Sequence, residues 1–204
     1  MKISVKKRMF ICGIDEAGRG PLAGPLSVGG AVFRPNEMIH GINDSKKLNE
    51  KQREALYGEI QTKALAYSNV LVDTPEIDKI NILQATKKGM FLVAQDITRK
   101  INVLYPDSEN FIHFLVDGNQ KFCTNLSQDP IIKGDGLIKI IGVASILAKV
   151  SRDRIMVQLG SEHPEYGFES HKGYPTKHHK EMIRKHGVLS FHRRTFAGVK
   201  EHLG

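Results

Sequence analysis

Two short apolar runs end in carboxylates: Ile11-Cys12-Gly13-Ile14-Asp15-Glu16 and Phe114-Leu115-Val116-Asp117-Gly118. A third acid, Asp135, follows Ile131-Ile132 inside Lys133-Gly134-Asp135-Gly136. In open α/β sheets functional groups gather at strand ends, where loops diverge and a crevice opens. Taken singly, an Asp beside a Gly at a strand end is turn chemistry. Three of them in a chain of net charge +8 make a shared cation site the sharper alternative. Carboxylates held together repel, and some take up protons unless a counter-ion neutralises them. Mg²⁺ and Mn²⁺ prefer oxygen ligands, and a pair of such ions can activate water and steady the leaving oxygen of a phosphodiester. No protein nucleophile is then required. That suits a sequence with no nucleophile elbow and no convincing Cys–His or Ser–His arrangement.

The elements that would hold these acids can be read from periodicity. Met9 to Asp15 reads as a buried strand, and Leu26 to Phe33 as a second, closed by Arg34-Pro35-Asn36. Asn49 to Ile60 looks helical after the polar turn Asn43-Asp44-Ser45, and Leu65 to Val72 is a third strand, stopped by Asp73-Thr74-Pro75. Leu83, Met90, Ala94, Ile97 and Ile101 form a stripe at helical spacing, which predicts a helix over Ile82 to Lys100. Phe111 to Val116 is a further strand. Ile140, Ala144, Leu147 and Val150 mark a second long helix, running to about Leu159. The tail from His163 onward is basic and rich in His, Gly and Pro, with one helix expected at Lys177 to His186. Strands first, then alternation with helices, indicate a single α/β domain over residues 1–204 with a central mixed sheet flanked by helices and a small helical C-terminal segment, about 163–204.

Composition narrows the class. The 204 residues are 40% hydrophobic and 25% charged, ordinary for a globular domain, and the basic balance favours an anionic partner such as nucleic acid. Cys12 and Cys123 make no disulfide scaffold and no zinc spacing, so both are expected to be reduced and structural. His171, His178 and His179 also lack a metal-ligand spacing and are expected on the basic surface. The basic start is followed by an apolar stretch too short for a signal peptide, and no run approaches about 18 apolar residues. No membrane association and a cytoplasmic location are expected.

Specific blocks then carry a resemblance. Gly13-Ile-Asp-Glu-Ala-Gly-Arg-Gly-Pro-Leu-Ala-Gly-Pro25 resembles the signature opening of the type 2 ribonucleases H. Further blocks follow in the family's order: Asp44-Ser45-Lys46-Lys47-Leu48, Ile80 to Thr86, Val116-Asp117-Gly118, Lys133-Gly134-Asp135, Ala144 to Asp153, and His171 to Thr176. They span most of the chain. The resemblance implies a ribonuclease H-like fold and an endonuclease acting on RNA–DNA hybrids and on DNA duplexes containing single ribonucleotides, cutting 5′ of the ribonucleotide to leave 3′-hydroxyl and 5′-phosphate ends. It places the family's four acids on Asp15, Glu16, Asp117 and Asp135, holding two Mg²⁺ or Mn²⁺ ions. Gly18-Arg19-Gly20 would approach the 2′-hydroxyl, Tyr174 would pack on the neighbouring sugar, and Lys46 would meet a phosphate.

Adjacent strand residues point to opposite faces. Asp15 and Glu16 can therefore share a site only where the strand is ending, or if one acts through its backbone carbonyl. Asp153 competes for the fourth acidic place, but Lys149 lies four residues before it, so a helix-surface ion pair is its expected role. Only twelve residues precede Gly13, which favours type II over the related type III enzymes with their extra leading domain. No clamp-binding motif is seen at the C-terminus, and a monomer is expected. Two other functions remain open on residues alone: a DNA nuclease or recombinase of the same fold, and an inactive hybrid-binding protein.

Overall fold

A computed structural model describes residues 6–39, 42, 48–106 and 108–203. Lys46, and with it the block Asn43 to Lys47, lies outside the described residues.

Five strands form one mixed sheet in the order β3-β2-β1-β4-β5: β1 Lys6–Ala17, β2 Leu26–Val32, β3 Ala66–Val72, β4 Ser108–Asp117 and β5 Gln128–Ile131. β2 pairs antiparallel with β1 and β3, whereas β4 runs parallel to β1 and to β5. The parallel β1–β4 pairing decides where the chemistry goes. Its last registered pair is Ile14 with Val116, so the two strands part just before Asp15 on one and Asp117 on the other.

Helices cover both faces. α1 Glu50–Lys63 starts at Asn49, whose side chain accepts from Gln52 N–H while Gln52 reaches back to Asn49 N–H. This reciprocal cap is worth about 1 kcal/mol. α2 Thr74–Leu104 is longer than its apolar stripe predicts, but it is interrupted at Asn81, where φ is 66° and ψ 164°. The Asn81 side chain accepts from Gln84 N–H, so it caps a helix that restarts at Ile82, where the stripe begins. α3 Gly134–Leu137 is a single turn, and α4 Lys139–Glu162 crosses the sheet on the face opposite α2. The chain closes with α5 Phe168–His171 and α6 Lys177–His186, the latter bounded as its sequence suggests.

Alternation along the strands divides the core. Cys12, Ile14, Val28, Phe114 and Val116 face α2, and Ala31 and Leu115 face α4. Two strand glycines let α4 lie directly on the sheet, because a Cβ at Gly13 would land on the Ile140 carbonyl and one at Gly29 on the Ala144 carbonyl. The expectation of a wholly buried first strand needs correction. Met9 is 72% exposed and Ile11 47%, since α4 begins only at Lys139 and covers that face from Gly13 onward.

A third, smaller core joins Leu22 and Ala23 to Met156, Tyr166, Phe168, Ile183 and Val199. Here the surface expectation holds for His178, which is exposed, but fails for His179 and in part for His171. His179 and His192 are fully buried, and His171 is partly so, packed against Phe168 and His179. No helix among the described residues is long and apolar enough to cross a membrane. Cys12 and Cys123 are both free thiols.

Candidate active site

One cleft of about 490 Å³ is lined by Asp15, Glu16, Asp117 and Asp135 together with Gly18-Arg19-Gly20 and Tyr174. Asp15 points to the α4 side, where the Ser145 hydroxyl hydrogen-bonds its carboxyl group. Glu16 points the other way and also lines a small groove beside Leu83, Thr86 and Lys87 of α2. Both side chains still reach the same cleft, because β1 has lost its β4 neighbour by this point. Asp117 ends β4, and the backbone N–H of Asp135, in the first turn of α3, points at it across 3.4 Å.

The electrostatics of this end of the sheet are unbalanced. Burial raises the Asp15 carboxyl well above its ordinary value, and the charges of Glu16 and Asp117 raise it further. The Glu16 N–H, 2.7 Å from Asp15 Oδ1, and the Ser145 hydroxyl offset only part of this. Burial also raises Glu16, against the opposing charge of Arg19 at 3.4 Å, and Asp117 adds to the rise. Glu16 Oε2 is buried with no hydrogen-bond partner. An acceptor left without a donor and neighbouring carboxylates that repel are what a cation would relieve. Among the described residues no three His, Cys, Asp or Glu side chains already stand as a closed ligand set, so an ion would have to draw the carboxylates inward.

Three cleft residues escape a reading based on acids alone: Ser145, Lys149 and Arg53. Ser145, Lys149 and Asp153 lie at successive i, i+4 positions of α4, a polar line through a helix otherwise rich in buried apolar residues. That line was the available clue. The Lys149–Asp153 pair is present at 2.8 Å, but Asp153 is only 7% exposed, so it is a buried tether for a cleft lysine rather than a surface ion pair.

The glycine loop is held from below. Arg193 donates to the carbonyls of Gly18 (2.6 Å), Arg19 (3.0 Å) and Gly24 (3.0 and 3.1 Å). Arg152 donates to those of Pro25 (2.9 Å), Ala23 (3.0 Å) and Lys172 (2.9 Å). Gly18 has φ +96°, a left-handed conformation that a side chain disfavours, and a Cβ there would strike Arg152. Gly20 is different, since a Cβ would only touch the Tyr174 ring at 3.7 Å.

Tyr174 is positioned through its backbone. Its carbonyl lies 3.0 Å from His179 Nδ1, and His179 Nε2 lies 3.1 Å from His192 Nε2. Leu189 N–H donates to His192 Nδ1, which must therefore be unprotonated. His192 then donates through Nε2 to His179, and His179 donates through Nδ1 to Tyr174. Every imidazole nitrogen in the relay has one role when both rings are neutral. Burial pushes each of these histidines down to about 4, which keeps them so.

Comparison with known proteins adds to this geometry. The sequence profile of the family described as Ribonuclease HII matches residues 12–199. The chain is 46% identical over 192 residues to ribonuclease HII of Francisella tularensis subsp. mediasiatica, covering 94% of this chain and 97% of that one. It is 47% identical over 193 residues to the Shewanella amazonensis protein of the same name, covering 95% and 89%. Among solved structures it resembles ribonuclease H2 of Pyrococcus horikoshii, with a TM-score of 0.71, 28% identity, and coverage of 95% of this chain and 96% of that one.

Proposed function

The chain belongs to the ribonuclease HII family, with the ribonuclease H fold, and is a ribonuclease H endonuclease; we propose that it hydrolyses the RNA strand of RNA–DNA hybrids and cuts 5′ of single ribonucleotides embedded in duplex DNA. The observation that carries this reading is the convergence of Asp15, Glu16, Asp117 and Asp135 on the cleft that also holds Gly18-Arg19-Gly20 and Tyr174. The four carboxylates are the ligands for divalent cations, and the partnerless Glu16 Oε2 and the raised Asp15 and Glu16 carboxyls support that assignment. Two Mg²⁺ or Mn²⁺ ions bound there would supply the Lewis acidity that makes water a nucleophile and steadies the departing 3′-oxygen.

The residues of the chain do the selecting. The carbonyls of Gly18 and Arg19 are turned inward onto Arg193, so the loop offers its N–H groups to a 2′-oxygen. A deoxyribose leaves such donors unpaired in a closed site, at a cost of about 1–3 kcal/mol each. The Tyr174 ring, 45% exposed beside Gly20, gives the adjoining sugar a surface to pack on. Arg19, Arg53 and Lys149 place positive charge around the cleft for the phosphates, and Lys46 is assigned the same role from its sequence block. Asp153 keeps the Lys149 ammonium from collapsing onto the catalytic carboxylates.

The test is cleavage of one duplex carrying a single ribonucleotide, with Mg²⁺ or Mn²⁺ added and the product ends mapped. A cut on the 5′ side, leaving 3′-hydroxyl and 5′-phosphate, is expected. Equal cleavage of an all-DNA duplex, or binding without cleavage, would replace this reading with one of the two alternatives.

A further inference from the structure

Arg152 and Arg193 are the two largest side chains that are fully buried, at 1% and 0% exposure. Among the described residues neither has a carboxylate within ion-pair distance. A buried charge without a counter-charge is an expensive way to fill space, and an apolar side chain of similar volume is often the more stable choice. What these two guanidiniums have in its place is backbone. Seven hydrogen bonds go to six carbonyls, five in the loop from Gly18 to Pro25 and one at Lys172, two residues before Tyr174.

The direction of those bonds matters more than their number. A peptide unit whose carbonyl is tied down has its N–H aimed the opposite way. Fixing the carbonyls of Gly18 and Arg19 therefore fixes the direction of the N–H groups of Arg19 and Gly20, which follow them in the chain. The guanidinium suits this task because its donors form a rigid planar fork that can address several acceptors at once. An ammonium carries the same charge but cannot hold three separate carbonyls in that geometry. Arg193 also joins the far end of the chain to this loop. Its own N–H donates to the Leu22 carbonyl, and the neighbouring His192 makes an isolated bridge with Ala23.

We infer that Arg193, seconded by Arg152, is a positioning residue that sets the donor directions of the Gly18-Arg19-Gly20 loop and so governs the step at which ribose is told from deoxyribose. The functional half of this inference rests on the reading that the loop meets the 2′-oxygen. The structural half does not, and the two can be separated.

The experiment uses the full chain with Arg193→Lys. Amide hydrogen exchange is measured across residues 12–24, and single-turnover cleavage and binding are measured on the duplex with one ribonucleotide. Exchange at residues 18–20 should quicken by roughly tenfold or more, with residues 12–16 unchanged, because opening becomes local. Cleavage should slow by about 10- to 100-fold while duplex affinity stays within about threefold, the pattern of a misplaced contact rather than a lost one. Unchanged exchange at 18–20 in the folded variant overturns the inference. Quickened exchange with wild-type cleavage overturns instead the reading of this loop as the 2′-oxygen site. A variant that merely melts earlier, yet cuts normally below its melting temperature and keeps normal exchange, also overturns the inference. Should Arg193→Lys fail to fold, Arg152→Lys carries the test to the carbonyls of Ala23 and Lys172, with quickened exchange expected at the N–H groups of Gly24 and Gly173 that follow them, and unchanged exchange there overturning the part given to Arg152.

Discussion

The two sides of the cleft handle buried charge in opposite ways. On the sheet side, Asp15, Glu16 and Asp117 bring like charges together, and Glu16 keeps an oxygen with no donor. On the loop side, Arg152 and Arg193 find a carbonyl for their donors, and His179 and His192 share one neutral relay. The first arrangement is unstable until something arrives, whereas the second is complete before anything does. A site that captures a cation and discriminates an oxygen, as proposed, needs both. Capture exploits an unmet requirement, and discrimination needs a fixed frame.

Asp117→Asn and Asp15→Asn should break this contrast most sharply. Each should reduce cleavage by roughly 10³-fold or more, since each would delete a charged ligand of the proposed cation site. Each should also leave the cation-free protein as stable as before or more so at pH 8. The signs follow from the raised carboxyls. An acid whose folded value is raised stabilises the fold below its unfolded value near 4, and that contribution is lost as pH climbs through the folded value. Paired melting and cleavage assays check it, and a well-folded Asp117→Asn enzyme cutting at the wild-type rate would remove the metal-site assignment.

Next in size is the contrast between Asp135 and Asp153. Asp135→Asn should lower turnover by roughly 10²-fold with little change in melting. Asp153→Asn should act chiefly on stability, by about 1–3 kcal/mol, because its buried pair with Lys149 would be broken. Turnover and melting reversed between the two variants would exchange their roles.

Gly20→Ala and Tyr174→Ala should each slow cleavage at a single ribonucleotide by about 10- to 100-fold with smaller effects on duplex binding. Tyr174→Phe should fall between Tyr174→Ala and wild type. Gly20 is the cleaner probe, since its Cβ meets only the Tyr174 ring, whereas Gly18→Ala would strain the backbone and displace Arg152. Normal cutting by both alanine variants would put 2′-oxygen recognition elsewhere.

The smallest effect concerns the histidine relay. His179 and His192 have folded values lowered to about 4, so they favour the fold above the unfolded value near 6.5 and lose that contribution as pH falls through about 4. Acidification between those limits should weaken the C-terminal core by up to about 1.4 kcal/mol per pH unit per proton. Hydrogen exchange in 171–193 measured at pH 5 and pH 7 should show it. Equal protection at both would mean that the rings are not held neutral by the fold.

Much of this was legible in the sequence. The strand ends that carry Asp15 and Asp117 and the α6 boundaries follow from local patterns of apolar period and polar stop. The misses have one cause in common. Met9 and Ile11 look buried because an apolar run says nothing about where the covering helix starts. His179 looks like surface because polarity in a His-rich tail reads as solvent contact, and only the fold shows that it and His192 satisfy each other. Arg152 and Arg193 are hidden for the same reason, since their partners are carbonyls, which every residue has and no sequence displays. Lys149 could have been found from its line with Ser145 and Asp153.

The seam where α4 meets the sheet at Gly13 and Gly29 has a mechanical meaning. Elsewhere helix and sheet are separated by side chains, which can hop between rotamers, compress slightly or be swapped for others of similar bulk. At these two positions backbone meets backbone, and the spacing behaves more like a hard stop than a cushion. Ser145 sits one residue past the second contact point, so its distance from Asp15 inherits that stiffness. A methyl added at Gly29 would act as a shim, lifting the helix together with Ser145 and Lys149 away from the carboxylates, while changes to the apolar side chains on either side of the seam would leave that gap nearly as it is.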